Sequence, residues 1–273
     1  PTIQQLIPHM MEVYHFGADV SMVSTPENTR MVNFESSRAI LEECWKAWKK
    51  SPHRKLVMAS TVAVYGVAEE PLREGAPFRQ YMGSNPYAAS KQRMEKRVAH
   101  YAKKGLNVVT IRPSGVYGLN APYIFPELAR FSIRGRLSNL SEKGLDVSHN
   151  LCHVEDVVRA TLFVAEKPTN PGESFNVAEP RAVTWRELLE TYFSHQKEKF
   201  KPEKGTRSIR ELSRLPRLQG YLTEPHRYST DKLLTMGFRY RHSFKRGFPR
   251  TLPGIFKAVK KNAHKAKLRK NLR

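Results

Sequence analysis

A tyrosine and a lysine one helical turn apart carry the strongest chemical signal in this sequence. Tyr87 and Lys91 follow Asn85-Pro86, a pair typical of the start of a helix, so their side chains are expected on one face. A free phenol has a pKa of ~10 and is a weak base at neutral pH. A neighbouring ammonium group favours the phenolate, and the pair can then exchange a proton with a substrate. A surface pair without function has the same spacing and is the alternative interpretation.

Hydroxyl groups that suit the same chemistry follow an apolar segment upstream. Residues 56–59 predict a buried strand, which ends at Ser60 and Thr61. Open α/β sheets bind ligands at the carboxyl ends of their strands. A hydroxyl group at that place can bond to the substrate oxygen whose proton Tyr87 exchanges. Thr61 is therefore the candidate partner of Tyr87 and Lys91.

Two further strand candidates end in residues that suit the approach of a ligand. One leads into Gly17 and Ala18, whose small size exposes the backbone, and Asn33 lies in the helix that follows. The other stops at Pro113 and opens into a loop. These strand ends are expected to meet at one rim of a sheet.

The elements that must position these residues alternate between strands and helices. Apolar runs predict strands at residues 11–16, 55–60, 107–112 and 174–177. Helical periodicity and helix-starting residues predict helices at residues 27–49, 85–104, 155–166 and 184–195. Such alternation is typical of βαβ units, so we predict an α/β fold with a parallel sheet.

The alternation lapses at residues 118–150 and after residue 197, where proline, glycine and arginine are frequent. This change in composition indicates a second, smaller lobe. We therefore predict a core at residues 1–118 and 150–178, a substrate-binding lobe at residues 119–149 and 179–250, and a basic C-terminal tail at residues 251–273.

The net charge of +22 lies mostly at the C-terminal end. Residues 201–273 hold 21 Lys and Arg against 4 Asp and Glu. An anionic lipid surface or RNA is therefore a candidate partner for this end, and a solvated appendage is the alternative. Nearer the predicted site, Arg112, Arg134 and Arg136 are candidates to bind a diphosphate or carboxylate of a substrate, or else are solvated.

Composition limits the classes of protein that fit. With 273 residues and 40% hydrophobic side chains, the chain can bury a core, and it has no apolar run of membrane-spanning length. Two cysteines, Cys44 and Cys152, are too few for a disulfide framework, so we expect free thiols and a cytoplasmic location. His149, Cys152, His153 and Asp156 lie close together, but alternating strand positions and a helix start account for them, and we predict no metal site.

Taken in order, these segments resemble the extended short-chain dehydrogenase/reductase family, which includes NAD-dependent epimerases and dehydratases and 3β-hydroxysteroid dehydrogenase-like enzymes. The resemblance covers most of the chain and implies a Rossmann-like doubly wound sheet with a small C-terminal lobe. It rests on Tyr14-His15-Phe16-Gly17-Ala18, Val32-Asn33, Thr61, Tyr87 with Lys91, Arg112-Pro113 with Tyr117-Gly118, His153-Val154-Glu155-Asp156-Val157, Phe175-Asn176-Val177, and Ser229-Thr230-Asp231-Lys232 with Met236-Gly237-Phe238.

By this resemblance Thr61, Tyr87 and Lys91 would be catalytic, with Tyr87 as general acid and base and Lys91 also binding the nicotinamide ribose. The implied reaction is hydride transfer at a hydroxyl or carbonyl carbon of a small molecule, either a sugar-nucleotide or a sterol- or lipid-like substrate. The chain would then be an NAD(P)-dependent oxidoreductase or epimerase. The residues expected to contact NAD or NADP are Phe16, Gly17, Ala18, Asn33, Tyr87, Lys91 and Pro113.

The sequence departs from the family at its start. A Gly-rich turn that would bind the pyrophosphate is missing, and the first predicted strand resembles the family's fourth. We expect one edge of this strand to be uncovered, with the chain as the C-terminal part of a longer protein, or the edge to be covered by a second copy or a partner. The alternative function is a noncatalytic, RNA- or ribosome-associated protein with the same fold.

Overall fold

The computed structural model describes residues 2–21, 24–79, 85–119, 121, 124–212 and 216–271. Its strands are β1 (Glu12–His15), β2 (Lys55–Ala59), β3 (Ala68–Leu72), β4 (Val108–Pro113), β5 (Gly115–Tyr117), β6 (Ser148–His149), β7 (Leu151–His153), β8 (Ser174–Val177), β9 (Val183–Thr184) and β10 (His226–Tyr228). Its α-helices are α1 (Ile3–Leu6), α2 (Pro26–Thr29), α3 (Ser36–Trp48), α4 (Pro86–Lys103), α5 (Ile124–Ile133), α6 (Val154–Glu166), α7 (Trp185–His195), α8 (Pro216–Thr223), α9 (Asp231–Thr235) and α10 (Phe244–Asn271).

A parallel sheet forms the core, with the strand order β1-β2-β4-β8. Leu56 of β2 lies between Val13 of β1 and Val108 of β4, and Ile111 of β4 lies opposite Phe175 of β8. Helices α3 and α4 pack on one face of the sheet and α6 packs on the other. β2 is therefore buried along its whole length. The predicted α/β fold with a doubly wound parallel sheet is confirmed.

One long helix expected from the sequence contains a local change of geometry. The segment predicted as a single helix at residues 27–49 consists of α2, a π-helical turn at Arg30–Glu35, and α3. Thr25 caps its start, because the threonine hydroxyl accepts a hydrogen bond from Asn28 N at 3.1 Å. The wider π turn contains Asn33, whose side chain is fully buried. Such π turns are frequent at functional sites.

The outer edge of β1 is uncovered within the described part of the chain, because no strand there pairs with it on that side. Phe16 at its end is 46% exposed, and Tyr14 is also exposed. Helix α6 also exposes apolar side chains, since Val158 and Leu162 are 52% and 46% exposed. The edge expected from the sequence is therefore present within the described residues.

Strands of the predicted smaller lobe form a second sheet, which also includes β3 from the predicted core. Its strand order is β3-β10-β6-β9, with β10 parallel to both β3 and β6. Helix α10 contributes Phe248, Leu252 and Ile255 to the buried core of this lobe. The boundary predicted at residue 251 therefore falls inside a continuous helix, whose apolar side chains attach it to the lobe. The division into core and lobe stays a prediction.

None of the helices described here is long and apolar enough to cross a membrane.

Replacing Leu252 by alanine should lower the free energy of unfolding by about 2–5 kcal/mol, because its side chain is fully buried in the lobe. Lys257→Ala is the matched control, since Lys257 is exposed on the same helix and should change stability by less than about 0.5 kcal/mol. Chemical denaturation followed by circular dichroism measures both values. Equally small effects would contradict the packing of α10 on the lobe.

Candidate active site

The candidate site lies at the carboxyl end of the parallel sheet. Ala59 of β2 lies opposite Ile111 of β4, so the two strands bring Thr61 and Pro113 to the same edge. His15 ends β1 at this edge as well. The strand ends that the sequence singled out therefore meet at one rim, where open parallel sheets bind ligands.

Lys91 is brought to this rim by α4. The helix begins at Pro86, after the Asn85 side chain, which accepts a hydrogen bond from Ala88 N at 3.1 Å. Lys91 is only 2% exposed, and its Nζ donates to the carbonyl oxygen of Ala59 at 2.7 Å. Because Ala59 is two residues before Thr61, this bond fixes the ammonium group beside the end of β2.

Burial changes the charge properties of Lys91. Transfer from water lowers its pKa to about 8, and the negative charge of Glu95 opposes this fall. The group is therefore an ammonium ion at neutral pH. Burial, and after it the charge of Lys91, lowers the pKa of His15, whose Nε2 lies 3.1 Å from Ser37 Oγ. A cation and a neutral imidazole thus share the rim.

Thr61 starts the short 3₁₀ helix Val62–Tyr65 directly after β2. Its Oγ1 accepts a hydrogen bond from Ala63 N at 3.2 Å. This bond uses a lone pair of the oxygen, so the hydroxyl hydrogen can still be donated to another acceptor. Thr61 is half-buried, and a substrate oxygen at the rim could accept that hydrogen bond.

Tyr87 lies one turn before Lys91 and is half-buried. Its carbonyl oxygen accepts a hydrogen bond from Ser90 Oγ at 2.7 Å. The helix repeat puts Tyr87 and Lys91 on one face of α4. The use of the Tyr87 hydroxyl as a proton donor and acceptor stays a prediction, as do the catalytic roles of Thr61 and Lys91.

Asn33 braces the loop that follows β1. Its Oδ1 accepts a hydrogen bond from Asp19 N at 2.5 Å, and its Nδ2 donates to Asp19 O at 2.8 Å. The same Nδ2 lies 3.4 Å from Ser90 Oγ on α4. The loop with the predicted cofactor contacts Phe16, Gly17 and Ala18 is thereby tied to the helix that carries Lys91. Asp19 was not among the residues predicted from the sequence, because its part in this brace uses only backbone atoms.

A buried hydroxyl group lies next to the predicted cofactor contact Pro113. Ser114 Oγ is enclosed and has no hydrogen-bond partner among the described residues. A buried polar atom without a partner costs free energy, so it points to a ligand or a water molecule. Ser114 was not selected from the sequence, since a serine after a strand is common and only its burial distinguishes it.

Arg112 is not available to bind a substrate, contrary to one interpretation of the sequence. Its guanidinium group forms a buried ion pair with Glu95, at 2.5 Å between Nη2 and Oε2. It is not solvated either, because it is 4% exposed. Arg134 is exposed, and Arg136 Nη2 donates to the carbonyl oxygen of Leu212 at 3.1 Å.

Two histidines and a glutamate approach each other at the start of α6, within 4.8 Å between their potential ligand atoms. The rings of His153 and His242 stack at 4.0 Å, and His242 Nε2 lies 2.9 Å from Glu155 Oε2. However, His153 Nδ1 accepts a hydrogen bond from Glu155 N, so the proton of the neutral ring is on Nε2. The positive end of the helix also disfavours a cation. These features support helix capping, and the absence of a metal stays a prediction.

A family model decides the affiliation of the chain. The model of the NAD-dependent epimerase/dehydratase family matches residues 2–178. The chain belongs to this family. The segment that matches the NAD-dependent epimerase/dehydratase family ends just after β8, the last strand of the parallel sheet. It therefore includes all the rim residues described above.

Curated relatives and solved structures agree with this affiliation. Protein BRI1-5 ENHANCED 1 from Arabidopsis thaliana is 33% identical over 90 residues, which are 33% of this chain and 25% of that protein. The decarboxylating sterol-4-alpha-carboxylate 3-dehydrogenase from Bos taurus is 22% identical over 191 residues, which are 65% of this chain and 50% of that enzyme. The chain thus spans half or less of the length of these curated relatives.

A solved structure shows the same fold. UDP-glucuronic acid 4-epimerase from Bacillus cereus, in complex with NAD, superimposes with a TM-score of 0.75 at 17% sequence identity. The match covers 95% of this chain and 78% of the epimerase. At this level of identity the similarity concerns the fold.

The burial of Lys91 should make stability depend on pH in the alkaline range. Its pKa is about 8 in the folded protein and 10.5 without burial, so the unfolded chain binds more protons between these values. The free energy of unfolding should therefore rise with pH across this window, by about 3 kcal/mol relative to Lys91→Met. Urea denaturation of both proteins measures the difference. A difference that does not change with pH would contradict the burial of a titrating ammonium group.

Proposed function

We propose that this chain carries the catalytic part of an NAD-dependent oxidoreductase or epimerase that acts at a hydroxyl-bearing or carbonyl carbon. The observation that carries the proposal is the meeting of Thr61, Lys91 and the Asn33-braced loop at one rim of the parallel sheet. Membership of an NAD-dependent family supports it.

The residues present fit the nicotinamide end of the cofactor. The loop of Phe16 and Gly17 is exposed at the rim, and Ser114 next to Pro113 has a hydroxyl oxygen without a partner in the described part of the chain. Lys91 supplies a cation that a ribose hydroxyl can approach. No Gly-rich turn for the pyrophosphate occurs in the sequence, so tight binding requires a phosphate-binding turn from outside these residues.

The reaction proposed for the protein residues is a proton transfer coupled to hydride transfer. NAD, held by the loop of Phe16 and Gly17 and by Lys91, would supply an acceptor for the hydride of the substrate carbon. Tyr87 would take the proton of the substrate hydroxyl group, and Thr61 would donate a hydrogen bond to the same oxygen. Lys91 would favour the Tyr87 phenolate while it remains an ammonium ion, below its pKa of about 8. In the reverse direction Tyr87 returns the proton to a carbonyl oxygen.

Sugar-nucleotides and sterol- or lipid-like alcohols are the two substrate classes proposed. The names of the similar proteins support both, since one is a sterol carboxylate dehydrogenase and another a UDP-glucuronic acid epimerase. The noncatalytic RNA-associated alternative receives no such support. The proposed cofactor is NAD, because the family is NAD-dependent.

Replacing Tyr87 by phenylalanine should lower kcat/KM about 100-fold or more, because general acid–base catalysis is lost. Tyr101→Phe on the same helix is the matched control and should keep wild-type activity, since Tyr101 lies at the far end of α4. At saturating NAD, NADH formation measures the rate of oxidation of sterol alcohols, and formation of the epimeric sugar measures the rate with UDP-sugars, in which no net NADH accumulates. Equal rates for Tyr87→Phe and the wild type would contradict the proposal.

The basic C-terminal end is proposed to contact an anionic partner, either lipid headgroups or RNA. Deleting residues 262–273 removes five of the eight Lys and Arg after residue 256. The deletion should weaken binding to RNA or anionic vesicles and reduce its salt dependence, by a slope of ~0.9 for each lost phosphate contact on duplex DNA, taken as a guide. Filter binding over a salt series measures this slope. Unchanged binding would identify this end as a solvated appendage.

A further inference from the structure

We propose that Glu95 is a positioning residue, which joins α4, the helix of Lys91, to the end of β2 and places a negative charge one turn from Lys91, and that Arg112 keeps Glu95 in its buried position. This inference rests on the proposed function. Glu95 acts through Ser60, which donates a hydrogen bond to it, and through Lys91, which lies one turn before it on α4.

The first support is the set of contacts made by the carboxylate. Glu95 lies one turn after Lys91 on α4 and is buried. Its Oε1 accepts hydrogen bonds from Ser60 Oγ at 2.5 Å and from Arg112 Nε at 3.0 Å. Ser60 directly precedes Thr61, so this bond joins the catalytic helix to the strand end that carries the Thr61 hydroxyl. A shift of α4 relative to β2 would have to break it.

The second support is the way in which Arg112 is held. Its Nη1 donates to the Tyr65 hydroxyl at 2.5 Å and to the Glu74 carbonyl oxygen at 2.8 Å, and its guanidinium carbon lies 4.9 Å from the Tyr65 ring centre. The Tyr65 hydroxyl in turn donates to Asn176 Oδ1 at 2.8 Å. The planar guanidinium group is thus fixed on three sides, which gives Glu95 a partner of defined position.

The third support is the charge balance around Lys91. Lys91 and Arg112 are both buried, and a buried cation without a counter-charge is costly. Arg112 pairs directly with the buried Glu95 carboxylate, which lies one turn after Lys91 on α4. His15 at the end of β1 adds no further cation, because burial and the Lys91 charge lower the pKa of its imidazole. The charge of Glu95 therefore supports the charged state of Lys91. The position of the β2 end and the protonation of Lys91 therefore depend on the same side chain, that of Glu95.

The test is the titration of Lys91 in the intact chain, followed by the ε-carbon resonance of ¹³C-labelled lysine, which Lys91→Arg assigns. Glu95→Gln keeps the shape of the side chain but removes its charge, and it should lower the titration midpoint by about one pH unit or more. Glu179→Gln is the control. Glu179 is also a buried glutamate, but it accepts a hydrogen bond from Tyr117 and none from Ser60 or Arg112. An unchanged midpoint in folded Glu95→Gln would overturn the proposal.

Ser60→Ala tests the positional part separately and remains informative if Glu95→Gln does not fold. It removes one hydroxyl group, and it should lower kcat about 10-fold to 100-fold with little change in KM, since Thr61 loses its alignment. Wild-type kcat in this variant would overturn the role in positioning. Absence of hydride transfer in the wild-type protein would contradict the proposed function, whereas the Lys91 titration would still decide the role of Glu95.

Discussion

The parallel direction of β1, β2, β4 and β8 is the constraint on which the site depends. Because these strands run the same way, their carboxyl ends share one rim, and β1, β2 and β4 bring His15, Thr61 and Pro113 to it. Parallel pairing also requires crossover helices, and one of them, α4, returns Lys91 to the rim. The common direction of the strands thus brings Thr61, Lys91 and Pro113 together although they are far apart in the sequence.

This arrangement buries charged and polar groups, and ion pairs and hydrogen bonds offset the free-energy cost of their burial. The Lys91 ammonium group donates to the end of β2, Arg112 pairs with Glu95, and Asn33 satisfies both polar backbone atoms of Asp19. Each of these bonds joins two different elements. Polar groups that would destabilise a core therefore define the positions of the rim elements relative to one another.

Local pattern was enough to predict the sheet, since apolar runs located its four strands to within one residue. Helical spacing and a Pro86 start located the face with Lys91. The pairing of Arg112 with Glu95 was not predictable, because the two residues lie on different elements and no short sequence motif contains both. Pro249 inside α10 normally indicates a helix end, yet buried neighbours such as Phe248 outweigh that preference. Tertiary packing decided both cases.

The bond between Tyr65 and Asn176 joins residues 111 positions apart, and the Asn176 amide donates in turn to the carbonyl oxygen of Ser229. During synthesis on the ribosome, the early strands and α4 leave the exit tunnel well before these later partners. Until those partners emerge, Arg112 and its neighbours lack part of their hydrogen-bond network. A nascent chain can therefore complete this hydrogen-bond network only after Ser229 has left the exit tunnel.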